Sequence, residues 1–235
     1  MKTTTITYGN LGTKGVLTSG DAFDCDVNGD GVYDSTTERF YYVSDMTNGV
    51  TQDSNTAVLI YYNNVSDGVA SNSTTYAYDS SGKNNNGPVT ALAQLPTTNQ
   101  WKNVSLTNTI RTITNESGGN TTPAGSLPTA FSYNGYAARL LTYQEVYSGC
   151  YDGTTSITST KGLSSKCKYL MENTKYSSSS LTTYGGWLES PYASNSRDAW
   201  LVHVSRRFVN NYIVSATGFL GVRPAIEVLK SNISY

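Results

Sequence analysis

Charge is scarce in this chain. Sixteen Lys and Arg stand against 17 Asp and Glu, 14% of 235 residues, for a net charge of −1. Without a basic cluster there is no electrostatic footprint for nucleic acid, whose affinity comes mainly from neutralised phosphates. Long apolar runs are missing too. The longest, residues 57–62, falls far short of the ~18 to 20 apolar residues of a membrane span. The opening residues Met1 to Thr5 carry no apolar signal-peptide stretch, so an exported protein would correspond here to a mature or trimmed form.

Histidine occurs once, at His203, and cysteine three times. No Cys-x-x-Cys or Cys/His grouping exists, which argues against zinc. Cys150 and Cys167 bracket a Gly/Ser/Thr-rich stretch and would close a loop of 17 residues if bridged, leaving Cys25 over; three reduced thiols are the other reading. Catalytic signatures are equally sparse. A Ser-His-Asp site would have to be built on His203, and no Gly-x-Ser-x-Gly elbow is present. Glu189 and Asp198 could pair as a glycosidase acid and base, but nothing in their spacing points to it.

What is abundant is neutral and hydrogen-bonding. There are 32 Thr, 29 Ser, 21 Asn and 21 Gly, and 19 Tyr against 5 Phe. The aromatic content and low charge separate the chain from disordered tails. Turn-forming stretches at 79–87, 114–126, 151–165 and 176–186 alternate with short apolar runs and do not gather into one linker, which favours a single domain over 1–235. Strands are expected at Arg39–Ser44, 57–62, 200–205 and Ala225–Leu229, the last burying Ile226 and Val228 with Glu227 outward. In 200–205 strict alternation places Trp200, Val202 and Val204 on one face and Leu201, His203 and Ser205 on the other. Thr142-x-x-Glu145 is a capping box that opens a short helix; further helices are expected over 165–172 and from Thr97 to Trp101. The fold class is α+β, with short strands, two or three short helices and long loops.

The most distinctive local motif is Asp26-Val27-Asn28-Gly29-Asp30-Gly31-Val32-Tyr33-Asp34. It offers oxygen ligands at Asp26, Asn28, Asp30 and Asp34 with Gly31 at the sharp turn, as a Ca²⁺ loop requires. Thr37 stands where the closing Glu would be, and Glu38 follows one residue later. The same residues also make an Asp/Asn/Gly turn that needs no ion.

The C-terminal part carries a resemblance. Gly-x-Trp-Leu-x-Ser-Pro-Tyr from Gly185, Ala199-Trp200-x-Val202 and Gly221-Val222-Arg223-Pro224 resemble the C-terminal signature of bacterial C-type-lectin-like domains. These are related to formylglycine-generating enzymes and to the variable proteins of diversity-generating retroelements. Arg139-Leu140-Leu141-Thr142-x-x-Glu145 resembles the helix start of the same superfamily, with Leu141 in place of Pro. The resemblance spans roughly 136–229 and implies a C-type-lectin-like core over 136–235, behind N-terminal strands and the Asp-rich loop in 1–135. The enzymes of the superfamily need a C-terminal cysteine pair, and no cysteine follows Cys167. The retroelement branch is therefore the expectation, and the chain is not expected to be an enzyme.

That branch implies a test on the residues themselves. Template adenines are misread there, so an AAY codon becomes many residues but never Lys, Glu, Gln, Met or Trp. Between Ser194 and Leu220 only Trp200 belongs to this set, where composition alone predicts about three. The same window holds the single His and three of the seven Arg. Trp187, Trp200, Val202, Val204 and the turn and strand at 221–226 are expected to form a frame. Arg197, Leu201, His203, Ser205, Arg206, Phe208, Asn210, Asn211, Tyr212, Ser215, Thr217 and Phe219 are expected to present a ligand-binding face, with Leu201, His203, Arg206, Phe208, Tyr212 and Phe219 as anchors. The expected ligand is a protein or glycan, the expected location secreted or cell-surface, and the only expected cofactor Ca²⁺. The alternatives are a structural or pilin-like module without diversification, or an enzyme of the formylglycine-generating type.

Overall fold

The computed structural model describes residues 4–8, 17–47, 51–52, 55–111, 131–153, 160–173, 179–180, 183–192, 195–205 and 207–234. At 4–8, 46–47, 51–52, 160–161, 173, 179–180, 207–211 and 234 only the backbone is described. The architecture is α+β, built on two sheets and a few short helices.

The first sheet has six strands in the order Ala225–Leu229, Thr56–Tyr61, Arg39–Ser44, Ala22–Asp24, Thr4–Tyr8 and Ile233–Ser234. Aromatic and β-branched runs place its centre, since such side chains pack well on a pleated surface. Both Arg39–Ser44 and Thr56–Tyr61 are buried along their whole length, so protein covers the two faces of the sheet there. The Thr4–Tyr8 strand runs parallel to Ile233–Ser234, which brings the two ends of the described chain side by side. Ala225–Leu229 pairs with Thr56–Tyr61, so the division of the sequence near residue 135 is not a division in space. The second sheet is C-terminal, in the order Thr160–Gly162, Arg207–Ile213, Asp198–His203, Gly185–Pro191 and Leu220–Gly221.

The capping box forms as expected. Thr142 Oγ1 accepts the Glu145 amide at 3.2 Å and Glu145 Oε2 accepts the Thr142 amide at 2.7 Å, opening the helix Tyr143–Cys150. The segment expected as a helix over 165–172 is a 3₁₀ helix, Ser165–Leu170, interrupted at Cys167. Cys167 is bridged to Cys150, and Cys25 is left as a buried free thiol. The helix expected from Thr97 is a turn instead. There the Gln100 carboxamide accepts the Thr97 amide and hydroxyl, and the chain leaves helical geometry after Trp101.

Glu227, expected to face outward, is 4% exposed. Its carboxylate accepts Arg139 Nε at 2.9 Å and Thr107 Oγ1 at 2.8 Å. Arg139 is itself fully buried and also donates from Nη1 to Glu145 Oε2 and to the Leu140 carbonyl, both at 2.9 Å. Burial disfavours its charge, but Glu145 and Glu227 more than offset that and hold the guanidinium pKa above its ordinary value. A second buried pair, Arg111 to Glu189 at 2.8 Å, is joined by the Tyr133 hydroxyl at 3.1 Å, and a third links Arg39 to Asp24 across neighbouring strands.

Removing one partner of such a cluster strands the other charges. Arg139→Met should destabilise the fold by about 3–5 kcal/mol in urea denaturation, and a loss under about 1 kcal/mol would deny the cluster its role. A pH effect follows as well. Asp21, Glu38, Glu189 and Asp198 all lie above the ordinary carboxyl range, each chiefly through burial. Glu227 alone is lowered, because Arg139 outweighs its burial. A raised carboxyl binds its proton more readily folded than unfolded, so its contribution falls as pH rises from the ordinary value, about 4, through the raised one. The Glu227 contribution has the opposite sign and is lost only below the ordinary range. The melting temperature should therefore be higher near pH 5 than near pH 8. A melt that is lower at the acidic pH would contradict this balance.

Candidate functional site

The C-terminal window is a hairpin on a rigid base. Asp198–His203 pairs with Arg207–Ile213 on one side and with Gly185–Pro191 on the other. Trp187 and Trp200 lie beneath it, 2% and 1% exposed. Trp187 Nε1 donates to the Tyr76 carbonyl at 2.7 Å, and the Trp200 ring packs on Tyr143 at a centroid distance of 4.4 Å. The frame expected from Trp187, Trp200 and Val202 is therefore present, with Val204 half-buried at its end.

Two glycines permit the close packing. A Cβ on Gly185, whose φ is +150°, would lie 1.8 Å from the Val202 carbonyl oxygen; one on Gly221 would lie 2.1 Å from Asn64 Nδ2. Asn64 is fully buried and donates to Thr183 Oγ1 at 3.1 Å. The glycines of the Gly-x-Trp and Gly-Val-Arg-Pro motifs thus let backbone pass against backbone and side chain. Arg223 is buried without a carboxylate partner among the described residues. It donates from Nε to the Tyr61 carbonyl at 2.7 Å and from Nη2 to the Tyr62 carbonyl at 3.0 Å, and burial lowers its pKa to about 10.

Of the residues expected on the binding face, Arg197, Ser205, Ser215 and Thr217 are exposed, and His203 and Tyr212 are half-buried. Phe219 is 38% exposed. Leu201 is not on the face: it is fully buried. Alternation did assign it to the side opposite Trp200, but both sides of this strand are covered, so Leu201 is core and cannot serve as an anchor. Phe208, Asn210 and Asn211 sit in the Arg207–Ile213 strand, of which only the backbone is described at those positions, and Arg206 lies outside the described residues.

The structure adds a residue that sequence reasoning missed. Tyr184, 53% exposed, stacks on Phe219 at 5.2 Å with 27° between the ring planes, and lies parallel to the His203 imidazole at 6.1 Å. Tyr212 meets Phe219 edge-on at 5.4 Å. His203, Tyr184, Phe219 and Tyr212 therefore form one row of rings. Tyr184 sits in a Gly/Ser/Thr-rich stretch read only as loop, so nothing local marked it. Burial and the neighbouring Tyr184 raise the Tyr212 pKa, which keeps its phenol neutral. His203 Nδ1 accepts the Ser205 amide at 3.1 Å and contacts the Ser205 hydroxyl at 2.6 Å. Beside the row opens a cleft of about 480 Å³ between the 73–75 segment and the Tyr184 and Phe219 rings.

A buried amide holds the entry to the window. Asn84 Nδ2 reaches the carbonyls of Tyr192, Asn195 and Asp198 at 3.0, 2.7 and 2.8 Å, and its own amide donates to the Ser196 carbonyl. Asp198 is tied to Asn195 Nδ2 at 2.8 Å, and Glu189 is enclosed with Arg111, so these two carboxyls serve packing and do not face a common substrate space.

In the Asp-rich loop, Asp26 accepts the amides of Gly29 at 2.9 Å and Gly31 at 3.1 Å, and Asn28 Oδ1 accepts that of Asp30 at 2.8 Å. Asp34 accepts the Thr36 amide and the Thr36 and Thr37 hydroxyls, each at 2.7 Å. Thr37, at the closing position, thus turns to Asp34, while Glu38 turns inward and accepts the amides of Val27, Asn28 and Asp34. Among the described residues no group of three or more His, Cys, Asp or Glu side chains is arranged to hold a metal ion. No helix among them is long and apolar enough to cross a membrane.

No known family model matches this chain, and neither a curated protein nor a solved structure is similar to it.

Proposed function

We propose that this is a C-type-lectin-like ligand-binding protein, exported and displayed at a bacterial or phage surface, whose window 194–220 is diversified by a retroelement to recognise protein or glycan targets. The observation that carries this reading is the row of exposed rings His203, Tyr184, Phe219 and Tyr212 on a hairpin whose base is buried. Rigid aromatic side chains supply large contact area at little entropic cost, and such residues contribute most at protein interfaces. The low net charge fits recognition by shape in place of electrostatic steering. No observation favours the enzymatic or purely structural alternative. Against a ligand selected from surface proteins and glycans, Tyr212→Ala and Phe219→Ala should each weaken binding by about 1–2 kcal/mol, read by calorimetry. Unchanged affinity in both variants would remove the face from the binding reaction. Alleles of the gene should differ mainly within 194–220; differences spread evenly along the chain would argue against diversification.

The same reading includes a structural Ca²⁺ in the loop of Asp26, Asn28, Asp30 and Asp34. Its support is the crowding of carboxylates: after burial, the charges of Asp26 and Asp30 raise the pKa of Glu38, a repulsion that a cation would relieve. The melting temperature should rise in millimolar CaCl₂ relative to chelator. Coincident melts would leave the loop as a turn held by its own amides.

A further inference from the structure

The cleft beside the aromatic row has a chemical character of its own. Its lining includes Ser73, Thr75, Thr183, Tyr184, Val204 and Phe219, and it contains no charged side chain. Its volume, about 480 Å³, lies within the range of small-ligand sites. One wall is flat and apolar, because Tyr184 and Phe219 are stacked and both remain open to solvent at 53% and 38%. The rest is hydroxyl. Thr183 is already committed, donating to the Gly185 carbonyl at 2.9 Å and accepting from Asn64. The Thr75 hydroxyl donates to the Thr217 carbonyl and keeps its lone pairs free to accept. The hydroxyls of Ser73 and Tyr184 have no hydrogen-bond partner among the described residues.

The wall is also held in place before any ligand arrives. The Tyr184 amide donates to the Phe219 carbonyl at 2.9 Å and the Tyr184 carbonyl accepts the Val204 amide at 3.0 Å, so the backbones under the two rings are tied together. Gly185 then locks the next residue against Val202. A site fixed in this way loses little entropy on binding.

From this we infer that the cleft binds a neutral saccharide ring, its C–H face stacked on the Tyr184 and Phe219 wall and its hydroxyl rim bonded to Ser73, Thr75 and the Tyr184 phenol. A sugar ring has the two-sided character the cleft offers: one apolar face and a rim of donors and acceptors. Nucleotides and acidic sugars carry charge, and the lining has no Lys or Arg to meet it. The inference rests on the binding face proposed above and extends it to Ser73, Thr75 and Tyr184, none of which lies in the window 194–220.

The probes are the methyl glycosides of glucose, galactose and mannose, titrated into the whole chain and followed by calorimetry and by saturation-transfer NMR. At least one should bind with a millimolar Kd that does not change between low and high salt, with saturation transferred from aromatic protons. Tyr184→Ala and Phe219→Ala should each weaken that binding about tenfold, and Ser73→Ala by less. Both rings are substantially exposed, so the variants should keep the wild-type melt, which is measured alongside. Absence of binding by every glycoside, or binding that survives both ring substitutions, overturns the inference. Salt-sensitive binding overturns it too, since it would mark a charged ligand. A protein ligand lost on Tyr212→Ala, in a chain that binds no glycoside, leaves the binding face standing and removes only the saccharide. Failure of both kinds of ligand removes both.

Discussion

A fully buried arginine has to be answered from several directions at once, and Arg139 sets that requirement near the middle of the chain. Its guanidinium is met by Glu145 from the first turn of the helix, by Glu227 from the C-terminal strand and by the Leu140 carbonyl beside it. Each partner has a second task. Glu145 caps the helix that supports Trp200, and Glu227 binds Thr107 from within the first sheet. Buried ion clusters of this kind add little net stability over an apolar replacement, yet misplacing one member is costly. The cluster therefore acts mainly as a registry device, fixing where the helix start and the last long strand meet.

The binding face inherits its rigidity from this arrangement. Ser190 Oγ accepts the Tyr143 amide at 2.9 Å, which fastens the Gly185–Pro191 strand to the same helix. From that strand the backbone passes through Gly185 to Tyr184, and the neighbouring hairpin supplies His203 and Tyr212. Asn84, Asn64 and Thr75 bind the edges of the window from segments more than a hundred residues away in sequence. Variable side chains can change on such a base because the polar groups of the base are satisfied by residues outside the window. Neutral Asn, Ser and Thr suit this task, since they staple backbone without bringing uncompensated charge into the interior.

Much of the fold was legible because it depended on local rules. The capping box, the Arg39–Ser44 and Ala225–Leu229 strands and the Gly/Ser/Asn-rich turns were read from spacing and residue type alone. The misreadings share a cause. Leu201 and Glu227 were assigned to an outer face by alternation, which divides a strand into two sides but does not say whether either side meets water. Protein covers both sides at Leu201, and Arg139 waits beside Glu227. The expected helix at Thr97 failed because the Gln100 side chain competes for the Thr97 amide and holds a turn. Tyr184 and Asn84 carried no local pattern; their roles exist only through partners far along the chain.

The sequence by itself determined the class of the molecule: few charges, abundant neutral hydrogen-bonding side chains, short strands, one well-capped helix, and a C-terminal frame of Trp, Gly and Arg. Those properties follow from composition and near-neighbour geometry. Only the tertiary structure decided which residues face solvent together. His203, Tyr184, Phe219 and Tyr212 become one surface because separate strands and loops converge at the end of the second sheet, and Leu201 leaves that surface because a second layer covers it. Burial and convergence are properties of the packed chain, and a linear pattern with period two cannot encode them.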